Sequence, residues 1–143
     1  MVVAIFSLMT GNATLVVLPV IPVMFVHSRI TRPPWYRLQL ALKRLRHDFR
    51  RSSPPIVQAR VEGANADALF VSLVCAKDAQ VSALSDQLPT LKQRISAEAV
   101  KQGVVIGLVN TLRIRVVSRE AVDREGGWMA FDHNVSWPRS NER

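Results

Sequence analysis

A helical stripe interrupted by a proline limits the folds open to this chain. In "VSALSDQLPTLKQRI", residues 81–95, apolar side chains recur every three or four residues, which is the spacing of one helix face. Pro89 falls inside the stripe, where it would remove a backbone hydrogen bond from a continuous helix. A proline in the first turn of a helix costs little, because the N–H that it lacks has no partner there. The pattern therefore predicts two helical segments that meet near Pro89. The predicted core residues of these segments are Leu84, Leu88, Leu91 and Ile95.

Alternating and apolar runs on both sides of this stripe predict three strands. "IVQARV", 56–61, alternates like a half-buried strand and is followed by a turn in "EGANAD". "ALFVSLVCA", 68–76, is apolar on both faces and suits a central strand, while "LRIRVV", 112–117, alternates again. Asp78 is the expected N-cap of the helix, and Gly103 is expected to end it. The order strand, strand, helix, strand predicts a small α+β fold: about three strands, covered on one face by the kinked helix.

Positive charge is concentrated in one short segment. Residues 29–51 hold eight lysines and arginines against one acidic residue, a net charge of +7, out of +8 for the whole chain. The remaining charges nearly cancel, and residues 1–28 contain no Asp, Glu, Lys or Arg. The high pI therefore comes from one short segment, and the rest of the protein is nearly neutral.

The basic segment carries a helical stripe of its own. Its apolar residues recur at spacings of three and four between two prolines and the run Ser52–Pro55. Three interpretations remain open: a membrane-surface helix, a helix that binds nucleic-acid phosphates, and a domain helix with its stripe in the core. The stripe consists of Trp35, Leu38, Leu42, Leu45 and Phe49. The candidate contacts to lipid or nucleic acid are Trp35, Arg37, Lys43, Arg44, Arg46, Arg50 and Arg51.

The N-terminal segment is long and apolar enough to suggest a membrane anchor. Eighteen of the 25 residues from Val2 to Val26 are apolar and none is charged, although Pro19 and Pro22 weaken a spanning helix. The basic flank that follows predicts an inner-membrane anchor with a cytoplasmic domain behind it. A signal-like segment and a buried segment are the alternatives, and the first lacks the expected leading positive charge.

Four regions follow from these patterns. They are an apolar segment 1–28, a basic amphipathic helix 29–53, an α+β interaction domain 54–119 and a tail 120–143. The tail contains turn-rich stretches such as "REGGW" and little periodicity. Its aromatic residues Trp128, Phe131 and Trp137 are expected either to dock on the sheet or on a partner, or else to lie in a disordered segment.

Residues that could support catalysis are few and scattered. The three histidines, His27, His47 and His133, are not spaced as metal ligands with Cys75 or with one another. Cys75 lies in an apolar strand and is expected to be a buried structural thiol. The chain contains no phosphate-binding loop or nucleophile-elbow motif. The sequence predicts a non-enzymatic interaction protein with no catalytic residue, no cofactor and no metal.

The strand pair, the kinked helix with "LPTLK" and the last strand resemble a known domain. Over about 60 residues they are similar to the C-terminal domain of the flagellar hook-length control and type III secretion substrate-specificity switch family. The resemblance implies a cytoplasmic domain that contacts a component of the type III export gate and switches the exported substrates. The family's long polar N-terminal region has no counterpart here. On this resemblance the candidate partner contacts, expected to be exposed, are Lys92, Arg94, Arg113 and Arg115.

A second resemblance has a different functional consequence. The order helix, strand, strand, kinked helix, strand is similar to ribosome-binding factor A and its type II KH-like fold, with the basic segment as its leading helix. It implies RNA or ribosome binding, although that fold commonly kinks at a small residue, and the strands and kinked helix alone lack a strong positive field. A membrane-anchored subunit of a larger complex is the third hypothesis.

Overall fold

The structure, a computed structural model, describes residues 32–64, 68–135 and 137, and its larger compact unit begins at Pro33. The predicted α+β class and three-stranded sheet are confirmed. The predicted anchor, 1–28, lies outside the described residues. The elements are α1 (Pro34–Arg51), β1 (Gln58–Ala64), β2 (Leu69–Cys75), α2 (Val81–Asp86), α3 (Leu88–Lys101), α4 (Ile106–Val109), β3 (Arg113–Ser118), α5 (Arg119–Arg124) and α6 (Trp128–Asn134), with a 3₁₀ turn at Asp78–Gln80.

The sheet has the order β1-β2-β3, with β2 at its centre. β1 runs antiparallel to β2, and β3 runs parallel to β2. A parallel neighbour requires a crossover connection, and α2 with α3 supplies it. Six of the seven residues of β2 are buried, in keeping with its predicted central place.

The predicted kink lies where the proline places it. α2 ends at Asp86 and α3 begins at Leu88, so that Pro89 is in the first turn of α3. The backbone N–H of Leu91 bonds to the carbonyl of Gln87 at 3.0 Å and starts the new helix. Leu84, Leu91 and Ile95 are buried as predicted, and Leu88 is half-buried against the same core.

Gly103 ends α3, as predicted, because it adopts a φ of 87° that other residues rarely take. Its N–H bonds to the carbonyl of Val100 at 2.9 Å, and the N–H of Val104 bonds to that of Ala99 at 3.0 Å. This is the paired closure of a Schellman motif. The following residues form the short helix α4, which the sequence pattern did not predict.

One face of the sheet is packed by α1 and α3. Apart from Trp35, the stripe of α1 packs with the buried residues of α3 and the inward side chains of all three strands in one apolar cluster. Apolar burial of this kind is the main stabilising contribution to folding. The third interpretation of the basic segment, a domain helix with its stripe in the core, is therefore the one that the packing supports.

The second face is also covered, which corrects the expectation of helix on one face only. Val117 on β3 packs with Val122 of α5 and Phe131 of α6, and Trp128 joins them. Trp137 lies edge-on to Phe70 of β2, with ring centroids 5.1 Å apart. The three tail aromatics therefore dock on the sheet, which was one of the predicted alternatives. They do so because β2 and β3 present apolar side chains on this face.

Two local expectations were wrong. β1 begins at Gln58 rather than Ile56 and continues through Ala64 into the predicted turn, across a bulge between Val61 and Gly63. Asp78 does not cap α2, because it is the first residue of a 3₁₀ turn that Lys77 precedes. Its carboxylate instead accepts a hydrogen bond from Ser118 of β3 and pairs with Arg124 of α5.

Candidate functional site

The inward stripe of α1 fixes which side of this helix faces outward. Leu38, Leu42, Leu45 and Phe49 are between 0% and 9% exposed, so four of the five stripe residues are unavailable to a lipid surface. Trp35, the fifth, is 46% exposed in the first turn, where it lies edge-on to Tyr36. The basic residues between stripe positions must therefore point outward or sideways.

Five cations lie on the outward side of α1. All five are exposed, and none takes part in an ion pair or hydrogen bond within the described residues. From Lys43 to Arg51 they span nine residues, or about 12 Å along the helix axis. Because α1 is packed against the sheet, the backbone positions from which these charged side chains extend are fixed. We name this surface the basic face; it consists of Lys43, Arg44, Arg46, Arg50 and Arg51.

Two further candidate arginines connect helices instead. Arg37 is half-buried, and its guanidinium donates to the carbonyl of Gly103 at the end of α3. Arg94 of α3 pairs with Asp48 of α1 at 2.7 Å, and both side chains are about half exposed. Lys92, on the exposed side of α3, makes no ion pair within the described residues. The α1–α3 contact thus uses two of the predicted contact residues.

The two arginines of β3 differ in environment, although the sequence pattern treats them alike. Arg113 is exposed, with its guanidinium carbon 5.8 Å from the ring centre of Phe70. Arg115 is only 5% exposed, and its predicted exposure is therefore wrong. The reason is that α6 and Trp137 lie over the second face of the sheet, where Arg115 points.

A network of polar groups surrounds Arg115. Its Nε donates to the Ser72 hydroxyl at 2.7 Å, and its Nη2 bonds to Asp132 and lies 3.7 Å from Glu62 Oε1. Its guanidinium carbon is 4.4 Å from the ring centre of Trp137. These contacts compensate a buried charge that would otherwise be strongly unfavourable. Arg115 therefore serves the attachment of the C-terminal helices.

A groove runs between α1 and the edge strand β1. Its volume is about 340 Å³. Lys43 and Arg46 of the basic face form part of its wall, and none of its lining residues is acidic. The lining residues are Gln39, Leu42, Lys43, Arg46, Phe49, Ile56, Val57, Gln58 and Ala59. The strand and helix patterns did not predict this groove, because neither shows how far α1 stands from β1.

The titratable groups away from α1 that have shifted pKa values are Cys75, Asp78 and Arg124. Cys75 is buried, and burial raises the pKa of its thiol. No cluster of three His, Cys, Asp or Glu side chains that could hold a metal occurs in the part of the chain described. Asp78 accepts a hydrogen bond from the Ser118 hydroxyl and pairs with Arg124, and these contacts lower the pKa of its carboxyl.

Within residues 32–64, 68–135 and 137 no helix is long and apolar enough to cross a membrane. The comparisons of this chain with protein-family models, curated proteins and solved structures find no match. The basic face and the groove beside it are accordingly the features on which a function can be argued.

Proposed function

We propose that this protein is a non-enzymatic RNA-binding module that contacts the phosphate backbone through the basic face of α1. The observation that carries the proposal is the set of five exposed cations, none of them paired within the described residues, on a helix fixed to a sheet. Contacts of Lys and Arg with phosphates supply most of the sequence-independent affinity for nucleic acids. An unpaired array is suited to this role, because no intramolecular ion pair must be broken first.

The topology adds support. Helix, strand, strand, kinked helix pair and strand follow one another in the order of the KH-like resemblance. The basic segment packs in the same core as the sheet, so its positive field belongs to the folded domain itself. From the sequence, the strands and kinked helix alone lacked the strong positive field that RNA binding needs. That argument treated α1 as a region separate from the domain.

The position of the charges also distinguishes this module from better-known relatives of that fold. KH domains clamp the nucleic-acid backbone with a Gly-x-x-Gly loop. The junction between α2 and α3 reads Gln87-Leu88-Pro89 and contains neither glycine nor a basic residue. We therefore place the contact with RNA on α1 and not at the kink.

Binding of a fluorescent RNA to the full-length protein tests the proposal. Changing all five residues of the basic face to glutamine, a good helix former, should reduce affinity strongly and lower the dependence of log K on log salt by about 0.7 to 0.9 per lost phosphate contact. The matched control changes five exposed cations elsewhere, which should have a small effect. These control positions are Lys77, Lys92, Lys101, Arg113 and Arg119. Unmeasurable binding by the unaltered protein, or equal loss in both variants, would overturn the proposal.

A second candidate function is the substrate switch of a type III export apparatus, through contact with an export-gate component. One observation favours it: Val105 and Ile106, just after α3, are 72% and 63% exposed, and Val100 is 41% exposed. Adjacent exposed apolar side chains are typical of protein-interaction sites. Lys92 and Arg94, two of the predicted partner contacts, are exposed on α3, the helix that also carries Val100.

The switch function is best tested on these exposed residues. Leu91→Asp is unsuitable, because Leu91 is 4% exposed and its replacement would unfold the core. The double change Val105→Asp with Ile106→Asp should leave the fold intact and block export of late substrates. Met129→Asp, at a 91% exposed position, is the control. A normal order of export in the double variant would exclude this candidate.

A further inference from the structure

The groove between α1 and β1 combines three chemical features in one place. Its floor is apolar, since Leu42, Phe49 and Ile56 line it and are each at most 4% exposed. Its wall carries the two cations Lys43 and Arg46. Amide side chains of Gln39 and Gln58 complete the lining and offer both donors and acceptors.

The two cations lie on one flank of α1. Three residues along a helix return to nearly the same side and rise about 4.5 Å, so Lys43 and Arg46 stand above one another on the groove wall. Neither takes part in an ion pair within the described residues, and no carboxylate lines the groove. Arg44 and Arg51 also belong to the basic face but do not line the groove. The groove therefore has a positive field that the rest of the basic face extends.

The other wall is an unpaired sheet edge. β1 pairs only with β2 in the described sheet. Val57, just before β1, and Gln58 and Ala59 at its start line the groove. Val57 is 46% exposed although it is apolar. The groove thus presents backbone groups and an apolar side chain to whatever occupies it.

We infer that this groove binds a single-stranded segment of RNA, with phosphates on Lys43 and Arg46 and a base against the apolar floor. Single strands expose base faces for apolar contact and base edges for hydrogen bonds, and amides such as Gln39 and Gln58 can bond these edges. A groove of about 340 Å³ is at the small end of the range of ligand pockets, which is about 300–1,000 Å³. It can take a splayed-out nucleotide, whereas the bases of a duplex stay stacked and paired inside. This inference rests on the proposed RNA-binding function and adds where and in what form RNA binds.

The test compares two pairs of substitutions with the same change of charge in the full-length protein. The groove pair is Lys43→Gln with Arg46→Gln, and the control pair is Arg44→Gln with Arg51→Gln. The probe is a fluorescent single-stranded oligoribonucleotide of about ten nucleotides, within the site sizes of single-strand binding modules. A duplex of equal length serves as the second probe.

We expect the groove pair to weaken single-strand binding by about tenfold to a hundredfold, since hydrogen bonds to charged groups are among the stronger contacts. Arg44 and Arg51 are phosphate contacts of the basic face outside the groove, so the control pair should weaken single-strand and duplex binding alike, and single-strand binding by less than the groove pair does. The unaltered protein should prefer the single strand to the duplex. A single strand containing 4-thiouridine should crosslink to residues 56–59 on irradiation.

The outcomes separate the inference from the function on which it rests. If neither RNA binds, both the proposed function and the groove site fail. If RNA binds but both pairs weaken it equally, or if the duplex binds as tightly, RNA binding stands and the groove inference is overturned. Tighter binding of an oligoglutamate peptide than of the RNA would also overturn it, because the groove would then take an acidic extended strand along β1.

Discussion

The two faces of the sheet are packed with different chemistry. On the first face, α1 and α3 bury an almost entirely apolar set of side chains, including Leu38 and Ile95, which are fully buried. On the second face, α5 and α6 cover a smaller apolar cluster beside the polar network of Arg115, Glu62 and Asp132. The strand alternation of β3 separates these two sets of residues but does not reveal what covers either set. The first face therefore forms the core proper, and the second is an attachment surface.

The two faces should lose stability through different kinds of substitution. An apolar core loses stability in proportion to the volume removed, because cavities are only partly filled by relaxation. A buried ion network is most sensitive to loss of one partner, because the remaining charges stay buried without compensation. Arg115 Nη1 is itself buried without a hydrogen-bond partner among the described residues, so this network is not fully satisfied.

Removing Arg115 should have the largest effect. Arg115→Ala leaves Glu62, whose side chain is 9% exposed, with Arg60 as its one remaining ion-pair partner among the described residues. We expect a loss of about 3–5 kcal/mol in the free energy of unfolding. Urea denaturation followed by far-ultraviolet circular dichroism measures it. Arg113→Ala, on the same strand but exposed, is the control and should cost less than about 1 kcal/mol. Equal losses in the two variants would mean that burial does not distinguish these arginines.

A cavity in the first face should have the next largest effect. Leu38→Ala removes a fully buried side chain of α1 and should cost about 2–5 kcal/mol. Met129→Ala, at a 91% exposed position of α6, should change stability by less than about 0.5 kcal/mol. The same urea titration applies. A cost for Leu38→Ala below about 1 kcal/mol would show that α1 is not part of the cooperative core.

The sequence predicted the elements of the first face well because their signals are local. The proline rule placed the kink at Pro89, and the period of the α1 stripe identified which side of that helix is buried. Gly103 ended α3 through a conformation that favours glycine. Each of these depends on a few neighbouring residues.

The second face and the groove could not be predicted in the same way. The polar residues Glu62, Ser72, Arg115 and Asp132 come from four separate segments, and only the fold brings them together. Alternation alone made Arg115 appear exposed. The segment 120–143 has little periodicity because α5 and α6 are only six and seven residues long. The basic residues were identified, but which of them line a groove depends on the spacing between α1 and β1.

Acidification should weaken the ion pair between Asp78 of the 3₁₀ turn and Arg124 of α5. The Ser118 hydroxyl and Arg124 lower the pKa of the Asp78 carboxyl in the folded protein. Its stabilising contribution is therefore present above the unfolded pKa, near 3.8, and is lost as pH falls through the lower folded value. Because Asp78 is largely solvated, the change should be small. Tm measured between neutral pH and pH 3 should fall less steeply in Asp78→Asn than in the unaltered protein, and identical slopes would contradict this assignment.

The smallest effect is expected from the ion pair between Arg94 and Asp48. Arg94 and Arg115 are the same residue type, and both were predicted as exposed contacts. The side chain of Arg94 is 46% exposed, whereas that of Arg115 is 5% exposed. An exposed pair gains little in water and loses side-chain freedom, so Arg94→Ala should cost about 0–1 kcal/mol and less in high salt. A double-mutant cycle with Asp48→Ala isolates the pair from other contacts of either residue. A coupling as large as the loss in Arg115→Ala would mean that the α1–α3 contact depends on charge as much as the second face does, and the contrast between the two faces would no longer hold.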